Sequence, residues 1–220
     1  SYLKKTVYFA LIQKHKKLQK IVILTCLKIA IIFSIRTYIR VGDWHDSMTL
    51  FTRELKTAGN NYILENSLAT LYIRDGEYER ALPLVKKSVK TYEYFANVNN
   101  MALLYANQND LEKADEYFNK AIRMNGNFIV YQNYANFLLY YKKDLKRTVE
   151  LTNIGLRRYP AASALFVIRA QAEYQIDKYA LALSDAKKAY ELSSSPWTKE
   201  VLNAITEKRK IQAEKFYKLK

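Results

Sequence analysis

The chain is 220 residues long, with a formal charge of +15, five glycines, three prolines and one cysteine. Glycine and proline are too scarce for a turn-rich β protein, and a single cysteine excludes an intrachain disulfide. Residues 1–40 hold nine Lys or Arg and no acid, whereas residues 41–160 hold 16 bases and 14 acids. Because the charge lies at one end and not along a stripe, we expect no nucleic-acid partner.

The first forty residues contain an apolar run. Residues 1–20 form a basic juxtamembrane segment, and residues 21–40 form a transmembrane or buried apolar helix. As a helix, residues 21–39 would be about 28 Å long, close to the roughly 30 Å of bilayer hydrocarbon. Lys28 opposes insertion, at a cost of roughly 2.5–3.5 kcal/mol near mid-span. If the segment spans a membrane, the basic flank favours a cytoplasmic N-terminal side and an extracytoplasmic remainder.

Small residues recur with a period of about 34 over the rest of the chain. Three series share this spacing: Ala69, Ala102, Ala135 and Ala170; Ala81, Ala114, Thr148 and Ala182; Ser88, Ala121, Gly155 and Ala189. Two helical stretches separated by a turn occupy each period. Small residues on both stretches let two helix backbones approach closely, so the sequence predicts stacked pairs of antiparallel helices.

The period divides the chain into units. Four repeats are predicted over 61–94, 95–127, 128–160 and 161–193, followed by a capping helix within 196–220, from about Trp197 to Tyr217. The third repeat has one extra residue before its turn. The repeat spacing also extends toward the N-terminus, because Gly42 stands one full period before Gly76. It predicts a half repeat over 41–60, with a turn at Gly42-Asp43, a helix from Trp44 to Leu55, and residues 21–40 doubling as the first repeat helix.

This pattern resembles the tetratricopeptide repeat (TPR). The resemblance implies an all-α, right-handed TPR superhelix of about four and a half repeats, an α-α solenoid with an apolar helix before it and a capping helix after it. Proteins of this kind bind a protein or peptide, and the first helix of each pair lines their concave face. Function is therefore expected to be partner binding.

Carrying the family's concave positions over gives eleven candidate partner-binding residues. They are Asn66, Thr70, Arg74, Asn99, Leu103, Asn107, Gln132, Asn136, Tyr140, Gln171 and Tyr174. Amides both donate and accept hydrogen bonds, so they could hold a neutral extended polypeptide; alternatively they are only solvated helix faces. An acidic C-terminal tail is not expected, because Ile129 and Asn133 stand where the family's tail-binding members need bases.

A second resemblance concerns residues 36–51. Arg40, Asp43-Trp44, Asp46 and Leu50-Phe51 are similar to the junction in transmembrane and TPR proteins, which resemble GT-C-type O-mannosyltransferases. In that family the catalytic acids lie in the membrane half, and no Asp or Glu precedes Asp43. We therefore expect that the chain alone is not an enzyme, with no catalytic residues, no metal site and no cofactor.

These observations favour a membrane-tethered TPR scaffold anchored through residues 21–39, with the repeats on the extracytoplasmic side. Two alternatives stay open. The chain could be the C-terminal repeat region of a multi-spanning, O-mannosyltransferase-like glycosyltransferase, or it could be a soluble TPR adaptor.

Overall fold

The computed structural model describes the backbone of residues 2–43 and 46–211, and side chains over residues 18–38 and 46–211. All regular structure within these residues is helical. The helices are α1 Tyr2–Asp43, α2 Ser47–Ala58, α3 Tyr62–Arg74, α4 Tyr78–Thr91, α5 Phe95–Asn107, α6 Leu111–Arg123, α7 Phe128–Phe137, α8 Leu145–Arg158, α9 Ser163–Gln175, α10 Tyr179–Leu192 and α11 Pro196–Thr206. The chain divides into two units, Ser1–Thr57 and Ala58–Lys220.

The first unit contains a continuous 42-residue helix, α1, so the basic segment and the apolar run share one helix. Leu18–Tyr38 is 21 residues long with a mean hydropathy of 2.0, enough by length and composition to cross a membrane. The side chains of residues 18–38 are all exposed.

The predicted turn at Gly42-Asp43 is wrong. Both residues lie within α1, and the next helix begins at Ser47. The start of α2 is set locally, because Asp46 Oδ1 accepts a hydrogen bond from the Thr49 backbone N–H at 2.8 Å and Asp46 Oδ2 accepts one from the Thr49 hydroxyl at 2.5 Å. A side-chain acceptor at this place starts a helix directly after it. The predicted start of α2 at Trp44 lies outside the described residues, and its end is Ala58, not Leu55.

The second unit is a series of helix pairs, α3 with α4, α5 with α6, α7 with α8 and α9 with α10. All members of the three small-residue series are buried, as the period requires. Gly155 shows why size matters, because a Cβ there would lie 2.8 Å from Leu165 Cδ1 and 3.1 Å from Tyr131 Cδ1. The predicted solenoid of stacked pairs is confirmed.

One backbone conformation recurs in the turns within the pairs. Gly76, Asn109, Lys143 and Asp177 have φ values of 79°, 60°, 54° and 60°, and each stands about one repeat period after the one before. Glycine adopts this left-handed conformation at no steric cost, and Asn or Asp at a small one. Gly42 continues this spacing but is helical, which is why extending the register backward misplaced the first turn.

The extra residue of the third repeat is absorbed as a π-helical turn. Leu138–Lys142 continues α7 with wider hydrogen bonding, and Lys143 then closes the turn in the left-handed conformation. A π-turn accommodates one inserted residue without breaking the helix. Leu138 and Leu139 consequently stay buried in the core.

The C-terminal helix is shorter than predicted. Within the described residues α11 ends at Thr206, not near Tyr217, and the end of the 196–220 segment lies outside them. The Arg209 N–H donates to the Ala204 carbonyl at 2.9 Å while Lys208 has a φ of 53°, a reversal typical of helix ends. Glu200 also holds the Arg209 guanidinium with contacts of 2.7 and 3.0 Å.

Candidate binding surface

The first helices of successive pairs contact one another in series, from α3 through α5, α7 and α9 to α11. We call the surface they present together the first-helix face. It carries all eleven predicted partner-binding residues, because they come from α3, α5, α7, α9 and the π-turn. Their surroundings divide them into two groups.

Three of the predicted residues take part in hydrogen bonds that join α3, α5 and α7. Asn100 Nδ2 donates to Asn66 Oδ1 and to Thr70 Oγ1, each at 2.8 Å, which joins α5 to α3. Asn133 Nδ2 donates to Asn99 Oδ1 at 3.2 Å, which joins α7 to α5. We call this set the asparagine ladder. Its amides satisfy one another, so they fix how neighbouring first helices align.

Other predicted residues also have partners within the chain. The Tyr140 hydroxyl donates to Oε1 of the buried Gln171 at 2.6 Å, and the Tyr174 hydroxyl donates to the Arg209 carbonyl at 3.3 Å. The exposed Arg74 guanidinium lies 3.1 Å from the Asp75 carboxylate. The contact of Tyr140 with Gln171 joins neighbouring first helices, whereas the contact of Arg74 with Asp75 lies at the surface.

The remaining predicted residues line two cavities that share Asn136. The first, of about 140 Å³, is bordered by Leu103, Asn107, Asn136 and Tyr141; the second, of about 150 Å³, is bordered by Gln132, Asn136, Gln171 and Trp197. We call them the Asn136 cavities. Within the described part of the chain, the side chains of Asn107, Gln132 and Asn136 make no hydrogen bond, so their amides can receive a ligand.

Sequence reasoning missed the aromatic residues of these cavities. Trp197, at the start of α11, lies against the second cavity, and the 42% exposed Tyr141 against the first. A signal for Trp197 existed, because it stands one repeat period after Ser163, which lines the same cavity. Tyr141 belongs to the π-turn, whose geometry the repeat spacing does not specify.

A charged network holds α7, the helix that carries Gln132 and Asn136. Asp115 accepts hydrogen bonds from the Tyr134 hydroxyl at 2.7 Å, from Arg147 at 3.1 Å and from Lys142 at 3.1 Å. Burial opposes ionisation of the Asp115 carboxyl, but these three donors outweigh it and lower its pKa. Burial raises the pKa of the Tyr134 hydroxyl, and the hydrogen bond to Asp115 adds to it. The network thereby connects α6, α7 and α8 rigidly.

A buried carboxyl lies between α9 and α10. Glu173 is 5% exposed, and its Oε2 has no hydrogen-bond partner among the residues that the structure describes. Asp185, beside it, forms a two-pronged ion pair with Arg169 at 2.5 and 2.8 Å. Burial raises the pKa of the Glu173 carboxyl to about 7, and the Asp185 charge contributes in the same direction. Glu173 therefore changes charge near neutral pH.

Two segments of the chain match tetratricopeptide repeat models, residues 66–93 and residues 97–128. No curated protein matches the chain in sequence. The chain therefore contains tetratricopeptide repeats, which are generally non-catalytic modules for protein interaction.

Solved structures agree on the fold. The chain is similar to pilF of Pseudomonas aeruginosa, with 21% identity over 67% of this chain and 68% of that one and a TM-score of 0.61. It is similar to TTC0263, a TPR protein of Thermus thermophilus, with 16% identity over 67% and 82% and a TM-score of 0.59. It is also similar to YrrB, described as a TPR protein with an unusual peptide-binding site, with 17% identity over 74% and 87% and a TM-score of 0.52. At these identities the similarity shows the fold alone.

Proposed function

We propose that this chain is a non-catalytic TPR scaffold whose first-helix face binds an extended, uncharged segment of a protein partner at the Asn136 cavities. The observation that carries the proposal is a set of amides without partners in the described residues, Asn107, Gln132 and Asn136. They line cavities that the exposed Tyr141 and the half-buried Trp197 also border. In this proposal residues 61–94, 95–127, 128–160 and 161–193 are the four binding repeats. YrrB, a TPR protein described as having an unusual peptide-binding site, supports it by analogy of fold.

The chemistry of these cavities fits a polypeptide backbone. A peptide bond presents one donor and one acceptor, and a primary amide can meet both, whatever the side chains of the ligand. Each cavity is too small for a cofactor, since sites for drug-sized ligands have volumes of about 300–1,000 Å³. Volumes of about 140 and 150 Å³ each suit one side chain of a bound peptide. Aromatic residues add contact area at low entropic cost.

The test measures binding of the full chain, in detergent micelles, to an immobilised array of uncharged ten-residue peptides. We expect saturable binding, weakened about tenfold in the double variant Gln132→Ala with Asn136→Ala, because two hydrogen bonds are lost. The matched control is Gln175→Ala with Asn203→Ala, two exposed amides outside both cavities. Equal binding by the two double variants, or no saturable peptide, would contradict the proposal.

We further propose that residues 21–39 anchor the scaffold in a membrane, with the repeats on the extracytoplasmic side. Support comes from the exposed apolar side chains of Leu18–Tyr38 and from the basic residues before them. Exposed apolar side chains around a whole helix are stable in hydrocarbon and unfavourable in water. The flanking bases favour a cytoplasmic N-terminal side.

Membranes from cells that produce the chain, washed in alkaline carbonate, test the anchor. We expect the chain to stay with the membranes, and the variant Leu27→Lys with Ile31→Lys to be released, because each added lysine costs roughly 2.5–3.5 kcal/mol at mid-span. Leu27→Val with Ile31→Val is the apolar control and should stay. Release of the unaltered chain from the membranes would favour the soluble adaptor. Digestion of the repeats by a protease added on the cytoplasmic side would contradict the proposed extracytoplasmic orientation.

The alternative that the chain is the repeat region of a membrane glycosyltransferase depends on the resemblance of residues 36–51. Asp46, one residue of that pattern, starts α2 by capping it. A polypeptide that continues before Ser1 with several further apolar spans would support this alternative. Sugar transfer from a polyprenyl donor by the isolated chain would contradict the proposal that the chain alone is not an enzyme.

A further inference from the structure

A second concave site lies where α8 turns into α9. A recess of about 450 Å³ is bordered by Phe128 at the start of α7, by Arg158 and Tyr159 at the end of α8, by Pro160, and by the small residues 161–164. We call it the edge groove. Its volume is within the range of sites that bury a ligand, and about three times that of either Asn136 cavity.

The floor of the edge groove is rigid and aromatic. The Tyr159 hydroxyl donates to the Gly126 carbonyl at 3.2 Å, and its ring meets Phe128 and Tyr131 at centroid distances of 6.3 and 5.9 Å. Aromatic rings in such tilted arrangements stabilise one another. The groove therefore exists before any ligand binds, which reduces the entropic cost of binding.

Its charged side chain is also held in place. The Arg158 guanidinium donates to Asn125 Oδ1 and lies 5.5 Å from the centre of the Tyr159 ring. A guanidinium has five N–H donors, so these contacts leave donors for a carboxylate. An arginine fixed beside an apolar recess is a common anchor of protein interfaces.

The sequence around the groove carries no negative charge to compete for this arginine. No Asp or Glu occurs in residues 117–143 or 151–172, the stretches that contain every lining residue. Arg123 and Arg157, at the ends of α6 and α8, are exposed. Positive charge without local acids attracts an anionic partner and speeds its association.

We propose that the edge groove docks an acidic segment of a protein partner, with one aromatic or large aliphatic side chain in the recess and a neighbouring carboxylate on Arg158. This site goes beyond the binding proposed for the Asn136 cavities, because Arg158, Tyr159 and Phe128 border neither of them and the ligand carries a different charge. Ser163 and Ala164 border both the edge groove and the second Asn136 cavity. A peptide fits better than an anionic bilayer surface, because a recess of about 450 Å³ accepts a side chain and a flat surface leaves it empty.

The test uses fluorescence anisotropy of the full chain in neutral detergent micelles. The probe is a labelled five-residue peptide, Asp-Glu-Phe-Glu-Asp, and the two comparison peptides replace its phenylalanine by alanine or its four acids by their amides. We expect saturable binding of the probe, at least about fivefold weaker binding of both comparison peptides, and weakening with added salt.

Two neighbouring arginines provide the matched variants. Arg158→Glu should weaken probe binding at least about tenfold, whereas Arg157→Glu, with the same charge change on an exposed residue outside the lining, should weaken it less than about threefold. Ala161→Trp, which fills the recess, should also weaken binding about tenfold, with thermal unfolding as a check of folding.

Four results would overturn the proposal. The first is the absence of saturable binding, and the second is an equal loss of affinity in Arg157→Glu and Arg158→Glu. The third is undiminished affinity for the peptide that lacks phenylalanine. The fourth is tighter binding to vesicles of equal parts phosphatidylcholine and phosphatidylserine than to the probe, with both arginine variants changing vesicle binding as they change probe binding. The double variant Gln132→Ala with Asn136→Ala should bind the probe normally. That result separates the edge groove from the Asn136 cavities, so either proposal can fail alone.

Discussion

Replacing Phe118 with alanine is expected to lower the free energy of unfolding by about 3–5 kcal/mol, the usual range for a buried phenylalanine. Phe118 is 0% exposed, and its ring stacks on Tyr134 with a centroid distance of 5.2 Å and an interplanar angle of 11°. It also meets Phe137 at 5.2 Å. The substitution leaves a cavity where α6 packs against α7, and the rigid aromatic neighbours cannot collapse into it.

Urea unfolding of the full chain, followed by circular dichroism in a fixed detergent, measures this loss. The matched control is Phe128→Ala, the same chemical change at a residue that is 43% exposed, where we expect about 1 kcal/mol or less. A loss at Phe118 no larger than the loss at Phe128 would show that α6 and α7 do not share the core described above. Because each pair is stabilised by its neighbours, the larger loss should also broaden the transition.

The second expected result concerns pH. The pKa of Glu173 is raised from 4.5 to about 7 in the folded chain, so the folded state binds this proton more tightly than the unfolded state. Its contribution to stability is complete below pH 4.5 and is lost as the pH rises through 7. Between pH 5 and pH 8, we expect the unaltered chain to lose about 1–3 kcal/mol more than Glu173→Gln, whose neutral amide keeps the size of the protonated acid.

The control for this experiment is Glu191→Gln, which removes a carboxylate from the surface of α10, where its side chain is 64% exposed and pairs with Lys188. That variant should keep the pH dependence of the unaltered chain. Identical pH dependence in the unaltered chain and in Glu173→Gln would show that Glu173 is ionised throughout this range. The comparison between variants cancels the titration of all other groups.

The sequence predicts those parts of the fold that depend on a period. Small residues such as Ala102 and Ala135 must be buried wherever two helices cross closely, so their spacing alone predicts the pairs. Local capping is a different kind of signal. Asp46 and Lys208 set the limits of α2 and α11 through single hydrogen-bonded turns, which the repeat spacing does not contain.

The candidate site was predictable only in outline. The spacing correctly assigns Asn66, Asn99 and Asn136 to first helices. It does not predict which of these asparagine side chains has a hydrogen-bond partner. Asn66 and Asn99 find partners one period away on the next first helix, whereas Asn136 has none in the described residues because Ala170 occupies that place. Whether an amide is satisfied depends on its neighbour in space.

The asparagine ladder and the charged groups of Arg169, Glu173 and Asp185 make different parts of the solenoid respond differently to pH and salt. Neutral amides connect α3, α5 and α7, and their hydrogen bonds do not titrate near neutral pH or weaken much with salt. Ionisable groups connect α9 to α10. Mild alkalinity should therefore loosen the carboxyl-terminal repeats first, while the amino-terminal repeats keep their alignment.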